Sequence, residues 1–208
     1  MRRPQLGNLM PFIKVIHPDE AEGRLKQIYD KVTGPNGQVD NVLQIHSLRP
    51  HTLEGHMALY KAVLHHPRND LPKWFLEAIG VLVSLLNDCS YCAKHHGASM
   101  KRLMAKEPDK YAACLEQLHR DHPGEPFTAA EQEALEYARK LTLAPGFIAE
   151  CDLQPMREAG YSDGEIFEVN QVAAYFAYAN RVVTGLGVHT EGEQLGLCPS
   201  DEEDWEEA

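Results

Sequence analysis

Between residues 72 and 86, apolar side chains crowd every face of a helical turn: Trp74, Phe75, Ala78, Ile79, Leu82, Val83, Leu85 and Leu86 leave few polar positions. A helix that is apolar nearly all round is a buried one, so the pattern predicts a central helix with Pro72 in its first turn. Asn87-Asp88 then predicts a break and a fresh N-cap, with Cys89 starting a second helix that runs to about residue 106. Upstream, Leu25, Ile28, Tyr29 and Val32 recur at helical spacing after Pro18-Asp19, where Asp19 can cap, and the pattern stops at Gly34-Pro35-Asn36-Gly37. Shorter helical pieces are predicted over 39–47 and 51–65, and further helices over 110–120, 128–143, 147–159 and 162–184. Ser162-Asp163-Gly164-Glu165 opens the last of these with the capping-box pattern. No run alternates with period two between hairpin turns, so the fold class is all-α.

The helix containing Glu168 resembles in layout the one containing Glu77. Asn180 stands where Cys89 would be, and the same register sets Val183 against Cys92 and Gly187 against His96. This is either a degenerate two-half repeat, with chemistry kept in the first half, or a coincidence between two buried helices.

Composition narrows the picture. The 208 residues fit one domain over 1–200, or two small halves on a shared core, and 43% hydrophobic with 25% charged residues is ordinary for a soluble globular chain. The net charge is −11, of which six acids between 201 and 207 carry −6, leaving −5 for the rest. Residues 201–208 read as a solvated, disordered acidic tail. No basic stripe is present, which argues against nucleic acid or an anionic membrane as partner. No apolar run is long enough for a signal h-region or a membrane span, so the expected location is cytoplasmic. Five cysteines is an odd number, and only Cys89 and Cys92 are close, unlike a secreted disulfide framework.

The candidate chemistry is concentrated in Cys89-Ser-Tyr-Cys92-Ala-Lys-His95-His96, with Glu77 twelve residues upstream of Cys89. On one helix Cys89, Cys92 and His96 share a face. A peroxide-reducing site needs a thiolate, a base or relay to deprotonate the thiol, an acid for the leaving oxygen and a second thiol to resolve the sulfenic acid. This window could supply all four. Two plainer readings exist. The cysteines could be small buried hydrophobes. Zinc would accept Cys89, Cys92, His95 and His96 as ligand types, but four ligands within eight helical residues do not readily converge on one tetrahedron. Glu77, an acid on an apolar helix, must be paired, protonated or functional. As to which thiol attacks, the helix macrodipole favours a thiolate at Cys89 in the first turn, Asp88 opposes it, and Cys92 has His95, His96 and Glu77 as candidate activators.

Other features read as structural. His46, His51, His56, His65 and His66 are taken as scattered, because five-residue steps do not keep the first three on one helix face. Cys114, Cys151 and Cys198 lack sequence partners. Lys94 and Lys101 either only solvate their helix or lower a thiol pKa. Gly185-Leu186-Gly187 is too short and wrongly placed for a dinucleotide loop. Tyr175, Phe176 and Tyr178 are core or subunit interface, or line a pocket mouth.

Glu77 followed by Cys89-Ser-Tyr-Cys92-Ala-Lys-His95-His96 resembles the signature of the AhpD-like superfamily of alkylhydroperoxidases and carboxymuconolactone decarboxylases, in particular its peroxidase-related enzymes. The specific part of the match runs over 71–100, within a core motif at 71–105, and Asn180-Arg181-Val182-Val183-Thr184-Gly185-Leu186-Gly187-Val188 resembles that branch's ending. The resemblance implies an all-α helical bundle, commonly a homo-oligomer, with no metal or bound cofactor. It makes Cys92 the peroxide-attacking thiol, Cys89 the resolving thiol, and Glu77 with His96 the proton relay. The substrate would be a small hydroperoxide, and an external dithiol or adaptor protein would re-reduce the Cys89-Cys92 disulfide. The alkylhydroperoxidases proper carry a second histidine between the cysteines, where this chain has Tyr91, whose ordinary pKa near about 10 makes it a poor proton shuttle. The rivals are a lactone decarboxylase, which does not depend on a cysteine pair, and a non-enzymatic redox sensor.

Overall fold

A computed structural model describes residues 11–120 and 122–197, and all regular structure in them is helical. The acidic segment 201–208 and Cys198 lie outside the described residues. The helices are α1 (Gly23–Val32), α2 (Asn41–Gln44), α3 (Pro50–Tyr60), α4 (Lys73–Leu86), α5 (Ser90–Leu103), α6 (Pro108–Leu118), α7 (Ala129–Leu143), α8 (Gln154–Glu158) and α9 (Asp163–Leu186). Several positions depart from the sequence pattern. Asp19 does not cap α1, which starts after Glu22. The helix expected over 51–65 is α-helical only to Tyr60 and continues as a π-helical turn, Lys61–His65. The helix expected over 147–159 is broken into two 3-10 turns, Pro145–Phe147 and Glu150–Asp152, followed by α8 with Pro155 in its first turn. Pro155 lacks an amide donor and so is accommodated only in the first turn of a helix, which is where α8 holds it.

Helix α4 is the hub. It is buried from Phe75 to Ser84 and packs most extensively against α5, then against α9 and α7. A second, smaller buried cluster joins Leu25, Ile28, Tyr29, Val32, Leu43, Leu53 and Met57 from α1 to α3, and Val42 and Tyr60 touch both clusters. Ser162 caps α9 as its sequence indicates: its Oγ accepts the Glu165 amide, and Glu165 accepts the Ser162 amide at 2.8 Å.

The join between α4 and α5 is tighter than the sequence suggests. Asp88 is left-handed at φ 54°, its amide donates to Leu85 O at 3.0 Å, and the Cys89 amide donates to Ser84 O at 2.8 Å. This is a Schellman closure. It moves the N-cap of α5 from Asn87-Asp88 to Cys89. The repeat reading meets a difference here: Glu77 and Cys89 lie on separate helices, whereas Glu168 and Asn180 share the uninterrupted α9. Glu168 has a different task from Glu77, because its carboxylate accepts the amides of Asp70 and Leu71 at 2.8 and 2.9 Å and so fixes the approach to α4.

Helices α4 and α9 meet at Gly80. A Cβ there would lie 2.2 Å from the Phe176 ring, which is 0% exposed and has the His96 ring edge-on at 4.5 Å. Phe176 has nowhere to retreat. Gly80→Ala is expected to lower stability by about 2–3 kcal/mol, read as a reduced midpoint in urea with unchanged slope, because overpacking outweighs the helix propensity gained by alanine. An unchanged midpoint would mean that α4 and α9 can part at no cost.

Candidate active site

The hairpin of α4 and α5 brings the sequence motif together in three dimensions. Glu77, 1% exposed on α4, accepts a hydrogen bond from His96 Nδ1 of α5 at 2.6 Å. Its other oxygen, Oε1, is buried with no partner among the described residues. Burying a carboxylate is costly unless it is paired, and the imidazole one turn beyond Cys92 provides that pairing. The pairing leaves His96 Nε2 with no protein partner among the described residues.

Cys89 and Cys92 are both buried and both reduced, 2% and 3% exposed. Their thiols differ in acidity. The Cys92 thiol as donor brings Cys89 down to about 6, helped by the Cys92 amide, the Thr184 hydroxyl and the charge of His96, against the opposing effect of burial. Cys92 is pushed up by its partner sulfur and by burial, with Asn180 acting the other way. Thiolate character therefore rests on Cys89 at the helix N-terminus, the place the macrodipole favours. Asp88, expected to oppose this, is exposed. Asn180 of α9 also binds Ser84 Oγ at 3.1 Å and accepts from Asn87 at 3.0 Å, so α9 forms a polar wall behind the thiol pair.

Cys92, rather than Cys89, opens into a pocket at the seam between the two hydrophobic clusters. Val42, Leu43, Met57 and Tyr60 form its apolar side, and Cys92, His95, His96 and Tyr175 face them. The motif's other members, Tyr91 and His95, lie on the same wall with rings stacked at 4.5 Å. Tyr91 donates to Glu193 Oε1 at 2.9 Å and accepts the Val42 amide at 3.2 Å. Its pKa is raised well above the ordinary value, first by burial and then by the carboxylates of Glu193 and Asp40. It is a fixed strut between α5 and α2.

Sequence reasoning missed three residues of this site. Glu193 binds His95 Nε2 at 3.1 Å, and Asp40 lines the pocket with its carboxyl pushed up to about 6 by burial, lowered by His95 and raised by Glu193. Neither stands in a periodic pattern or near the thiol motif. The nearest signal is the glycine pair around Glu193, Gly192 and Gly196, both at positive φ. The third is His56. Histidines read as scattered are partly gathered: the His46 and His56 rings lie 5.1 Å apart, tilted by 42°, His56 reaches the pocket wall, and burial holds both below the ordinary imidazole pKa. The turn ahead of α3 brings them together, a path that helix-face arithmetic does not see.

Cys114 is buried with its thiol pushed up to about 11, and Cys151 is exposed. Tyr175 lines the pocket, Phe176 is core, and Gly187 is the left-handed cap that ends α9. Lys94 and Lys101 are exposed. Among the described residues no group of three or more His, Cys, Asp and Glu side chains converges in a way that could hold a metal ion, and no helix is long and apolar enough to cross a membrane.

No protein-family model matches the sequence, and no curated protein matches it. Solved structures do match. An uncharacterized peroxidase-related protein from Silicibacter sp. TM1040 is 27% identical, with 91% of this chain and 94% of that one aligned at a TM-score of 0.67. A second, from Ralstonia eutropha JMP134 and described as an alkylhydroperoxidase AhpD core, aligns 86% of this chain and 91% of its own at 24% identity and a TM-score of 0.69. The debrominase Bmp8 shares the fold at 18% identity and a TM-score of 0.60, over 81% of this chain and 87% of that one. With its helical architecture shared over nine-tenths of the peroxidase-related proteins' length, the chain has the AhpD-like helical fold.

Proposed function

We propose that the protein is a thiol-dependent peroxidase that reduces small hydroperoxides at Cys92 and closes a Cys89-Cys92 disulfide. The observation that carries this reading is the asymmetry of the thiol pair: the sulfur in the pocket has the carboxylate-backed His96 one turn away, and the sulfur behind it is the better thiolate. In this mechanism the Cys92 proton passes to His96, whose Nδ1 is anchored on Glu77, and the Cys92 thiolate takes the terminal peroxide oxygen. The Cys89 thiolate then attacks the Cys92 sulfenic sulfur, and as the disulfide forms the departing hydroxide takes the proton held on His96 and leaves as water. The resolving role falls to the thiol whose pKa is drawn down by its partner sulfur. An external dithiol or an adaptor protein returns the pair to the reduced state, and the exposed Phe147 and Phe167 suit a homo-oligomer.

A second reading rests on the debrominase likeness, since a cysteine-to-alanine variant of that protein was solved with 2,3,4-tribromopyrrole. The same dithiol could supply the two electrons that replace an aryl bromine by hydrogen, releasing bromide, and Tyr60 and Tyr175 would face a flat ring. One assay separates the readings: hydrogen peroxide, tert-butyl hydroperoxide and a bromopyrrole are offered to the wild type and to a Cys89→Ser/Cys92→Ser variant, each with a panel of dithiols. Peroxide loss that needs the cysteines supports the peroxidase, and bromide release alone would replace it. Peroxide consumption by the double variant at the wild-type rate would remove the thiol mechanism.

A further inference from the structure

Two imidazoles, rather than one, share the pocket wall with Cys92, and each is backed by a buried carboxylate. His95 and His96 stand three and four residues after Cys92 on α5, so all three lie on one helix face. The His96 carboxylate comes from α4. The His95 carboxylate comes from Glu193, almost a hundred residues away, with side chains 9% and 6% exposed.

Three hydrogen bonds hold the Glu193 carboxylate. Oε2 accepts from His95, while Oε1 accepts from the Tyr91 hydroxyl and from the Asn41 amide. The segment that carries it is tied down on both sides. Asn41 Nδ2 donates to His189 O at 2.9 Å and to Glu191 O at 3.3 Å. Beyond Glu193, the Gly196 backbone presses so closely on α5 that a Cβ there would lie 2.8 Å from backbone atoms of Ala98 and Ser99. Leu197 then joins the pocket lining. With Nε2 bound to Glu193, Nδ1 is the His95 nitrogen without a protein partner among the described residues, and His95 lines the pocket. Asp40, also on that lining, is a second acidic group that interacts with His95.

Resting on the peroxidase reading, we propose that His95 is the catalytic acid for the departing peroxide oxygen and that Glu193 is the positioning residue that fixes its ring. The Cys92 thiolate forms its bond to the terminal oxygen, and the O–O bond breaks with its electron pair on the distal fragment. The proton on His95 Nδ1 passes to that fragment, which leaves as the alcohol. His95 is left neutral, and the proton first removed from Cys92 stays on the Glu77–His96 pair. A thiol and a hydroperoxide enter, and a sulfenic acid and an alcohol result. Division of labour between the two pairs lets one ring take a proton while the other gives one, without a single imidazole turning between tasks.

The test exploits leaving groups that differ in their need for a proton. Tert-butyl hydroperoxide releases an alkoxide and peracetic acid a carboxylate, so only the first requires an acid. The Gln side chain in Glu193→Gln keeps an oxygen for Tyr91 and Asn41 but turns N–H toward His95 Nε2, which must then be a bare acceptor. His95→Gln removes the ring. Both variants are expected to lose about 10²-fold in kcat/KM on tert-butyl hydroperoxide and at most about threefold on peracetic acid, with Glu193→Asp between them and the wild type. Equal losses on both substrates would show a structural role only, and no loss on either would remove His95 from the chemistry; each overturns the proposal while leaving the peroxidase reading intact. A wild type that consumes neither substrate overturns both.

Discussion

Cys92→Ser is expected to lose at least about 10³-fold in peroxide turnover, whereas Cys89→Ser consumes about one equivalent of peroxide and stops. The first variant lacks the thiol that, among the described residues, lines the pocket; the second keeps it but cannot resolve what it forms. Trapping with a sulfenic-acid reagent followed by mass spectrometry should label Cys89→Ser at Cys92 and leave Cys92→Ser unlabelled. The same variants separate acidity from position. Cys89 is drawn down to about 6, so thiolate absorbance rises as pH passes upward through that region, and this step should vanish in Cys89→Ser but persist in Cys92→Ser, where a serine hydroxyl still donates to the sulfur. Labelling retained in Cys92→Ser and lost in Cys89→Ser would assign the attack to Cys89, the better thiolate, and reverse the roles proposed above.

Glu77→Gln should lower kcat/KM by about 10²-fold while leaving the thermal midpoint nearly where it was. Glutamine fills the same volume and still offers an oxygen to His96 Nδ1, so packing around α4 survives. What disappears is the negative charge that stabilises an imidazolium at His96, and with it the drive to pull a proton from the raised Cys92 thiol. Stability changes little because two effects offset: a buried carboxylate with an unpartnered oxygen is removed, and a buried amide N–H₂ without a partner replaces it. Unaltered kcat/KM would mean that Cys92 loses its proton by a route that bypasses Glu77.

The contrast between Glu77 and Glu193 explains what could be read from the sequence. Glu77, Cys89, Cys92 and His96 lie in one helical hairpin, where short-range periodicity fixes both the burial of α4 and the face shared along α5. Glu193 follows Thr190, Glu191 and Gly192 in a stretch with no hydrophobic periodicity, and only tertiary packing turns its carboxylate inward. Asp40 and His56 were illegible for the same reason, as both reach the pocket from the smaller hydrophobic cluster. The cap of α5 was misread by one residue because Asp88 accepts a left-handed conformation, something aspartate does far more readily than most residues and that no hydrophobic pattern reports.

The site is thus assembled from contacts of very different range, and this orders its formation in time. The Glu77–His96 contact spans 19 residues and the His95–Glu193 contact spans 98. A hairpin of adjacent helices closes at small entropic cost, whereas joining the far end of the chain to α5 requires the intervening helices to be in place first. The thiol pair and its first imidazole belong to the early, most persistent part of the fold, and the strap bearing Glu193 docks last and lifts off first. Warming should then disarm the second imidazole while the helices are still intact, so that loss of catalysis and loss of structure are two events rather than one.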